Sequence, residues 1–240
     1  MNIKRLSLFF IALSASILYQ SQVSASVTLG GTRFVYSESE DSLPVTVYDR
    51  DKGPYLVQSW VSEFKTQQAG NTEKNKSLAK LPFIITPPLF RMEPGDTNTI
   101  NIVKTDTSQL PQDRESIFYF NVKAIPGKPK DTKSSLMISV DSSMKLFFRP
   151  VKLEGDAADS AWKKISFKQN NKKLIAKNPT PYFVTLHTLS TNGQPNSTIK
   201  NTLIPPYGQI PVPVSVSVHT VSWTALTDEG AITSDQNVNL

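Results

Sequence analysis

The sequence predicts an all-β protein built from two immunoglobulin-like β-sandwich domains. Apolar and polar residues alternate with a period of two in segment after segment, and no stretch sustains the 3.6-residue period of a helix. Turn-forming residues punctuate the alternating segments at short intervals. The 17 prolines agree, because proline is excluded from helix interiors and sits at strand ends and edges.

In chain order the alternating segments are Val27 to Tyr36, Leu43 to Tyr48, Tyr55 to Phe64, Asn98 to Val103, Ile117 to Ile125 and Leu136 to Phe148. Lys172 to Ala176, Tyr182 to Leu189, Val212 to His219 and Val221 to Leu226 follow. In Val212 to His219 the valines fall on one face and Pro213, Ser215, Ser217 and His219 on the other, the pattern of a half-buried strand. Turns are expected at Asp51-Lys52-Gly53-Pro54, Glu93-Pro94-Gly95-Asp96, Pro126-Gly127 and Asn192-Gly193. About seven strands before Pro150 and about six after Trp162 give each half the strand number of an immunoglobulin-like sandwich. The expected domains are therefore residues 26–150 and 162–240. Residues 151–161, poor in apolar side chains and carrying Glu154-Gly155-Asp156, form the expected linker.

Residues 1–25 read as a secretory signal peptide. Lys4 and Arg5 open it, a largely apolar stretch runs from Leu6 to Tyr19, and Val23-Ser24-Ala25 supplies small residues for cleavage. The apolar run is shorter than the roughly 18 residues a membrane-spanning helix needs. An exported chain is the expectation.

Net charge is +6, a mild excess. The lysines are scattered, with short clusters at Lys163-Lys164 and Lys172-Lys173, and do not interleave with aromatics as in a single-strand nucleic-acid groove. Cysteine is absent, which removes thiol chemistry, disulfides and thiolate metal sites. His187 and His219 are too few for a histidine-rich metal centre.

The pattern Ser-x-x-Lys occurs at Ser62/Lys65, Ser77/Lys80, Ser142/Lys145, Ser160/Lys163 and Ser197/Lys200, without the Ser-Asp-Asn or Lys-Thr-Gly that would accompany a serine acyl enzyme. His187 and His219 read as ordinary strand residues. Gly-rich phosphate loops and acidic calcium loops do not appear. Binding of another protein, not catalysis, is the expected activity, with no cofactor, nucleic acid or small-molecule substrate.

The most informative run is Leu110 to Pro126, LPQDRESIFYFNVKAIP, a polar turn feeding a strand rich in aromatic and β-branched residues. It resembles the signature segment of the periplasmic chaperones that assemble bacterial pili and fimbriae. Gly31 to Tyr36, Pro54 to Trp60, Thr86-Pro87-Pro88, Lys145 to Pro150, Asn178 to Tyr182 and Thr227 to Ala231 resemble the same family in the same order. The resemblance implies two immunoglobulin-like domains set at an angle around a cleft. It also implies a periplasmic location, a pilus or fimbrial subunit as client and delivery to an outer-membrane usher. Self-association of the client-free protein stays open. The competing reading is an exported adhesin or fimbrial subunit. A subunit would be one incomplete domain with a disulfide and a free N-terminal extension.

Three sets of residues acquire roles from this resemblance. Leu136, Ile138 and Val140 alternate with Met137, Ser139 and Asp141 and match the strand that family members lend to a client lacking its own last strand. Strand addition of this kind, of which chaperone–pilin pairing is an established instance, uses main-chain hydrogen bonds for register and alternate side chains for pockets. Arg33 and Lys145 match the cations that grip the client's terminal carboxylate, a task suited to charge-assisted hydrogen bonds. Glu115, Arg149 and Asp228 match an ion-pair network across the domain boundary. Two departures stand out: Tyr48-Asp49-Arg50 lies where the family usually has asparagine, and Gly127 to Ser135 is short, resembling the short-loop branch.

Overall fold

The protein is seen in a computed structural model that describes residues 27–64, 81–128, 137–170 and 173–240. The expected signal peptide lies outside these residues, as do Leu136 and most of the short loop that precedes it. No helix among the described residues is long and apolar enough to cross a membrane.

Among the described residues nine strands make the first sandwich: β1 (Val27–Leu29), β2 (Arg33–Ser37), β3 (Ser42–Asp49), β4 (Tyr55–Glu63), β5 (Phe83–Thr86), β6 (Leu89–Met92), β7 (Thr97–Lys104), β8 (Ser116–Pro126) and β9 (Val140–Arg149). One sheet has the order β1-β3-β7-β5 and the other β2-β9-β8-β4-β6. The sequence read Val27 to Tyr36 as one strand, but the chain leaves one sheet and enters the other between Leu29 and Arg33. Gly30-Gly31 permits the crossing, since a Cβ on Gly31 would press within 3.1 Å of the Phe34 ring. Between the sheets lie Tyr36, Val45, Val57, Ile100, Phe120, Leu146 and Phe148, all 1% exposed or less. The Tyr36 ring packs 5.3 Å from Phe83 and 6.3 Å from Phe148, and its hydroxyl donates to Asp41 O at 2.8 Å.

The second sandwich contains β10 (Ser166–Asn170), β11 (Lys173–Lys177), β12 (Val184–Thr191), β13 (Gln194–Ile204), β14 (Gln209–Pro213), β15 (Thr220–Ala225) and β16 (Gln236–Asn239). Its sheets run β10-β11-β14 and β13-β12-β15-β16. They enclose a separate core that includes Trp162, Leu174, Leu186, Ile204, Val212 and Trp223. Asn192 and Gly193, at φ 50° and 76°, make the tight turn between β12 and β13 that suits the twist of paired strands. Two short 3-10 turns, Val151–Leu153 and Ala161–Lys164, mark the passage between sandwiches.

The expected strand Val212 to His219 is cut short. Pairing with β11 ends at Pro213, and beyond it side chains satisfy the main chain. Asn192 donates to Ser217 O and accepts from His219 N, and Gln169 accepts from Val218 N, each at 2.8 Å. His219 therefore lies in a bend, while His187 remains on β12 with Asn201 Oδ1 2.8 Å from its Nδ1.

Candidate functional site

Strand β9 organises the site, because its successive side chains leave opposite faces. Leu146 and Phe148 enter the first core. Lys145, Phe147 and Arg149 point the other way, towards the second sandwich, where the Phe147 ring lies 5.6 Å from that of Phe183.

On its way to that seam β9 has two different neighbours. From Val140 to Phe148 it pairs antiparallel with β8. On its other side β2 runs parallel to it, but only from Arg33 opposite Lys145 to Ser37 opposite Arg149. Among the described residues, β9 therefore has an open edge from Val140 to Met144, with main-chain donors and acceptors available to another strand. The row Val57, Ala124, Val140 crosses the core face of the sheet in register, and exposure along it rises from 0% to 4% to 47%. Apolar side chains thus continue beyond the cover of their own sandwich. Ile138, 65% exposed, precedes the paired strand, which begins at Val140 and not at Leu136 as the alternation suggested.

The register places Arg33 and Lys145 side by side on one face. The Arg33 guanidinium lies 4.6 Å from the Phe147 ring centroid, and its Nη1 donates to Leu226 O at 3.4 Å. Its Nε is buried without an acceptor in the protein. Lys145 makes no ion pair among the described residues. Burial pulls Arg33 below the usual arginine range against the opposing influence of Asp228 and Glu115. Burial, and then the charge of Arg33, push Lys145 down. Two partly desolvated cations held together in this way gain from a shared anion, which stabilises the charged form of both.

Four residues further along β9, about 13 Å away, Arg149 joins the two sandwiches. Its Nη2 and Nε donate to Glu115 Oε1 at 2.8 Å, and its Nη1 meets Asp228 Oδ2 at 2.8 Å. The other Glu115 oxygen accepts from Phe183 N at 2.7 Å. Burial pushes the Glu115 carboxyl up, against the pull of Arg149 and Phe183 N. Arg149, which burial alone would lower, is held above its usual range by Asp228 and Glu115. A cavity lined by Arg33, Arg149, Trp162, Tyr182, Phe183 and Asp228 lies at this seam.

Of the sequence-selected residues that are described, Arg33 sits on β2, Val140, Lys145 and Arg149 on β9, Glu115 and Asp228 against the end of β9, and Ile138 two residues before its start. Sequence reasoning missed Phe147 and Phe183; the spacing of Phe147 between Lys145 and Arg149 was the available signal. It also missed a clamp on the passage between sandwiches. Ser39 N and Oγ donate to the two Glu154 carboxylate oxygens at 3.0 and 2.8 Å, and Val151 N donates to Glu38 Oε2 at 3.1 Å.

Comparison with known proteins matches residues 26–154 to the pili and flagellar-assembly chaperone PapD N-terminal domain, and residues 160–237 to the PapD C-terminal domain. The chain belongs to the PapD family of pilus-assembly chaperones. This PapD-family chaperone is 35% identical over 223 residues to the chaperone protein FimC of Escherichia coli K12, covering 91% of this chain and 86% of FimC. Among solved structures it resembles the periplasmic chaperone SfaE, with a TM-score of 0.69, 31% identity and coverage of 87% of this chain and 96% of SfaE. It also resembles the Salmonella enterica chaperone SafB, solved in complex with the SafA pilin, with a TM-score of 0.74, 28% identity and coverage of 90% and 97%. The two sandwiches of this family member are thus those of a chaperone, and the adhesin or subunit reading is not favoured.

Proposed function

We propose that this PapD-family chaperone works in the periplasm, where it captures pilus or fimbrial subunits by lending them the open edge of β9. The observation that carries the reading is the way this edge stops at two cations. A strand paired to Val140–Met144 lies in line with β2 and abuts it at Arg33 and Lys145. A carboxylate held there must be the end of that strand, so the incoming strand runs in the same direction as β2, parallel to β9. Val140 and Ile138 then fill its apolar groove, with Leu136 next in the alternation. The triad Glu115, Arg149 and Asp228 keeps the second sandwich at the angle that leaves the cleft open to the client.

The SafB–pilin complex supports a pilin as partner. Kinship with FimC supports handover to an outer-membrane usher. The periplasmic setting agrees with SfaE and with residues 1–25 acting as a cleavable export signal after which the chain starts at Ser26. The work is binding, without a chemical step.

The test compares two short strand peptides of alternating apolar residues, one ending in a free carboxylate and one in an amide, by calorimetric titration. Charge-assisted bonds worth about 1.5–3 kcal/mol predict that the chaperone prefers the carboxylate by about tenfold to a hundredfold. Arg33→Ala and Lys145→Ala should each reduce that preference while leaving circular dichroism and melting unchanged. Equal affinity of the wild-type protein for both peptides would refute the carboxylate anchor.

A further inference from the structure

Tyr207 is the one bulky residue among the described non-glycine residues with positive φ, at 55°. Glycine occupies this region freely and large side chains avoid it. A glycine stands next in sequence, yet Gly208 does not take the left-handed turn, and a Cβ there would come within 2.6 Å of Pro205 Cγ. The fold holds a tyrosine where a glycine would sit without strain, which points to a task for its side chain.

That side chain, 48% exposed, reaches the other sandwich. Its hydroxyl donates to Asp113 O at 3.3 Å, and the Arg114 guanidinium lies 5.2 Å from its ring centroid. Asp113 holds the guanidinium in place through its two carboxylate oxygens, at 3.0 and 2.7 Å. The platform beneath Tyr207 is fixed as well. Its N–H donates to Thr180 O at 3.0 Å. The fully buried Asn178 donates to Tyr182 O, to Pro205 O and, from its main chain, to Gly208 O. One residue beyond Arg114, Glu115 N donates to Pro181 O at 2.9 Å, and its carboxylate belongs to the buried Arg149 network. Asp113, Arg114 and Glu115 therefore grip the second sandwich at consecutive positions.

We infer that Tyr207 is a positioning residue: with Arg114 it forms a latch that sets the angle between the two sandwiches and so the second wall of the cleft. The effect on client capture rests on the function proposed above; the effect on domain angle does not. Tyr207→Gly separates the latch from folding, because it relieves the backbone while deleting the ring.

The chain has no cysteine, so nitroxide labels at Lys52→Cys and Ser197→Cys, exposed residues in different sandwiches, report the interdomain distance cleanly. Tyr207→Gly should broaden the distance distribution while the second sandwich melts at the wild-type temperature or above. Arg114→Ala should broaden it similarly, and the double variant no further. Tyr207→Phe, which keeps the ring, should fall between. Capture of the carboxylate peptide should weaken about two- to fivefold in Tyr207→Gly, the range of an exposed cation–π contact. A distance distribution unchanged in both Tyr207→Gly and Arg114→Ala would overturn the latch, whatever happens to peptide binding. A broadened distribution with undiminished binding would uphold the latch and count against the cleft as the client site.

Discussion

Arg149 and Glu115 are where charge and burial are most directly opposed. The Glu115 side chain is 2% exposed and that of Arg149 10%, and removing one partner of such a pair leaves the other charged in a dry site. Arg149→Ala should therefore destabilise the first sandwich by about 3–5 kcal/mol in denaturant unfolding, far more than a surface pair would. The double variant Glu115→Gln/Arg149→Ala should cost less than the sum of its parts, because glutamine carries no charge to strand. An additive double variant would mean that the two residues act independently. These charges were legible in the sequence because they fall within family-like motifs. Tyr207 was not: in the run Pro205-Pro206-Tyr207-Gly208 a turn reading assigns the left-handed position to glycine, and the close approach of Pro205 to Gly208 exists only after folding.

The residues that lead into β9 carry opposite expectations for neighbours. A glutamate at Ile138, already 65% exposed, meets water in the free protein but would enter an apolar groove in the complex proposed above. Burying an unpaired carboxylate there costs several kcal/mol. Ile138→Glu should thus leave the melting temperature unchanged and abolish binding of the carboxylate peptide, whereas Ser139→Ala should change neither. A collapsed melt in Ile138→Glu would show that the side chain belongs to the home core. The alternation exposed this strand in the sequence, as it did β3, β4, β7 and β8, each with a covered face and a wetter one; it also found β12, which begins with three buried residues in succession, Val184, Thr185 and Leu186. It did not expose β13, whose residues are mostly outside the core and carry little pattern. The short β5 and β6, separated by Pro87-Pro88, were missed for lack of length. Alternation also misled at Val214 to His219, where the side chains of Asn192 and Gln169 bond the main chain in place of a neighbouring strand.

Across the whole molecule, two separate cores meet at a seam that includes Phe147 against Phe183, Arg33 to Leu226, Arg149 to Asp228, Glu115 to Phe183 and Pro181, and Tyr207 to Asp113 and Arg114. The sequence revealed both sandwiches, because each has its own set of alternating strands, and through the family resemblance it pointed to the charged part of the seam at Glu115, Arg149 and Asp228; it did not reveal Phe147 against Phe183 or the bond from Arg33 to Leu226, 193 positions apart. The parallel register of Arg33 with Lys145 lies at one end of that seam and has a consequence for the kind of chain the cleft accepts. From Lys145 to Val140 an extended strand measures about 17 Å, so the cationic pair and the first exposed apolar residue form a ruler of fixed length. A peptide shortened by one residue at its carboxyl end still offers a carboxylate, but its side chains reach the ruler on the wrong face. Shortening by two residues restores the parity. Affinity should therefore fall on the first deletion and partly recover on the second, a sawtooth that titration of the three peptides would reveal; a monotonic decline would mean that the register is not read. Because the terminal carboxylate is the last part of a protein to be synthesised, a ruler anchored as proposed above would admit finished chains and turn away those cut short or nicked out of step, which would make the cleft an inspection point for intact subunits.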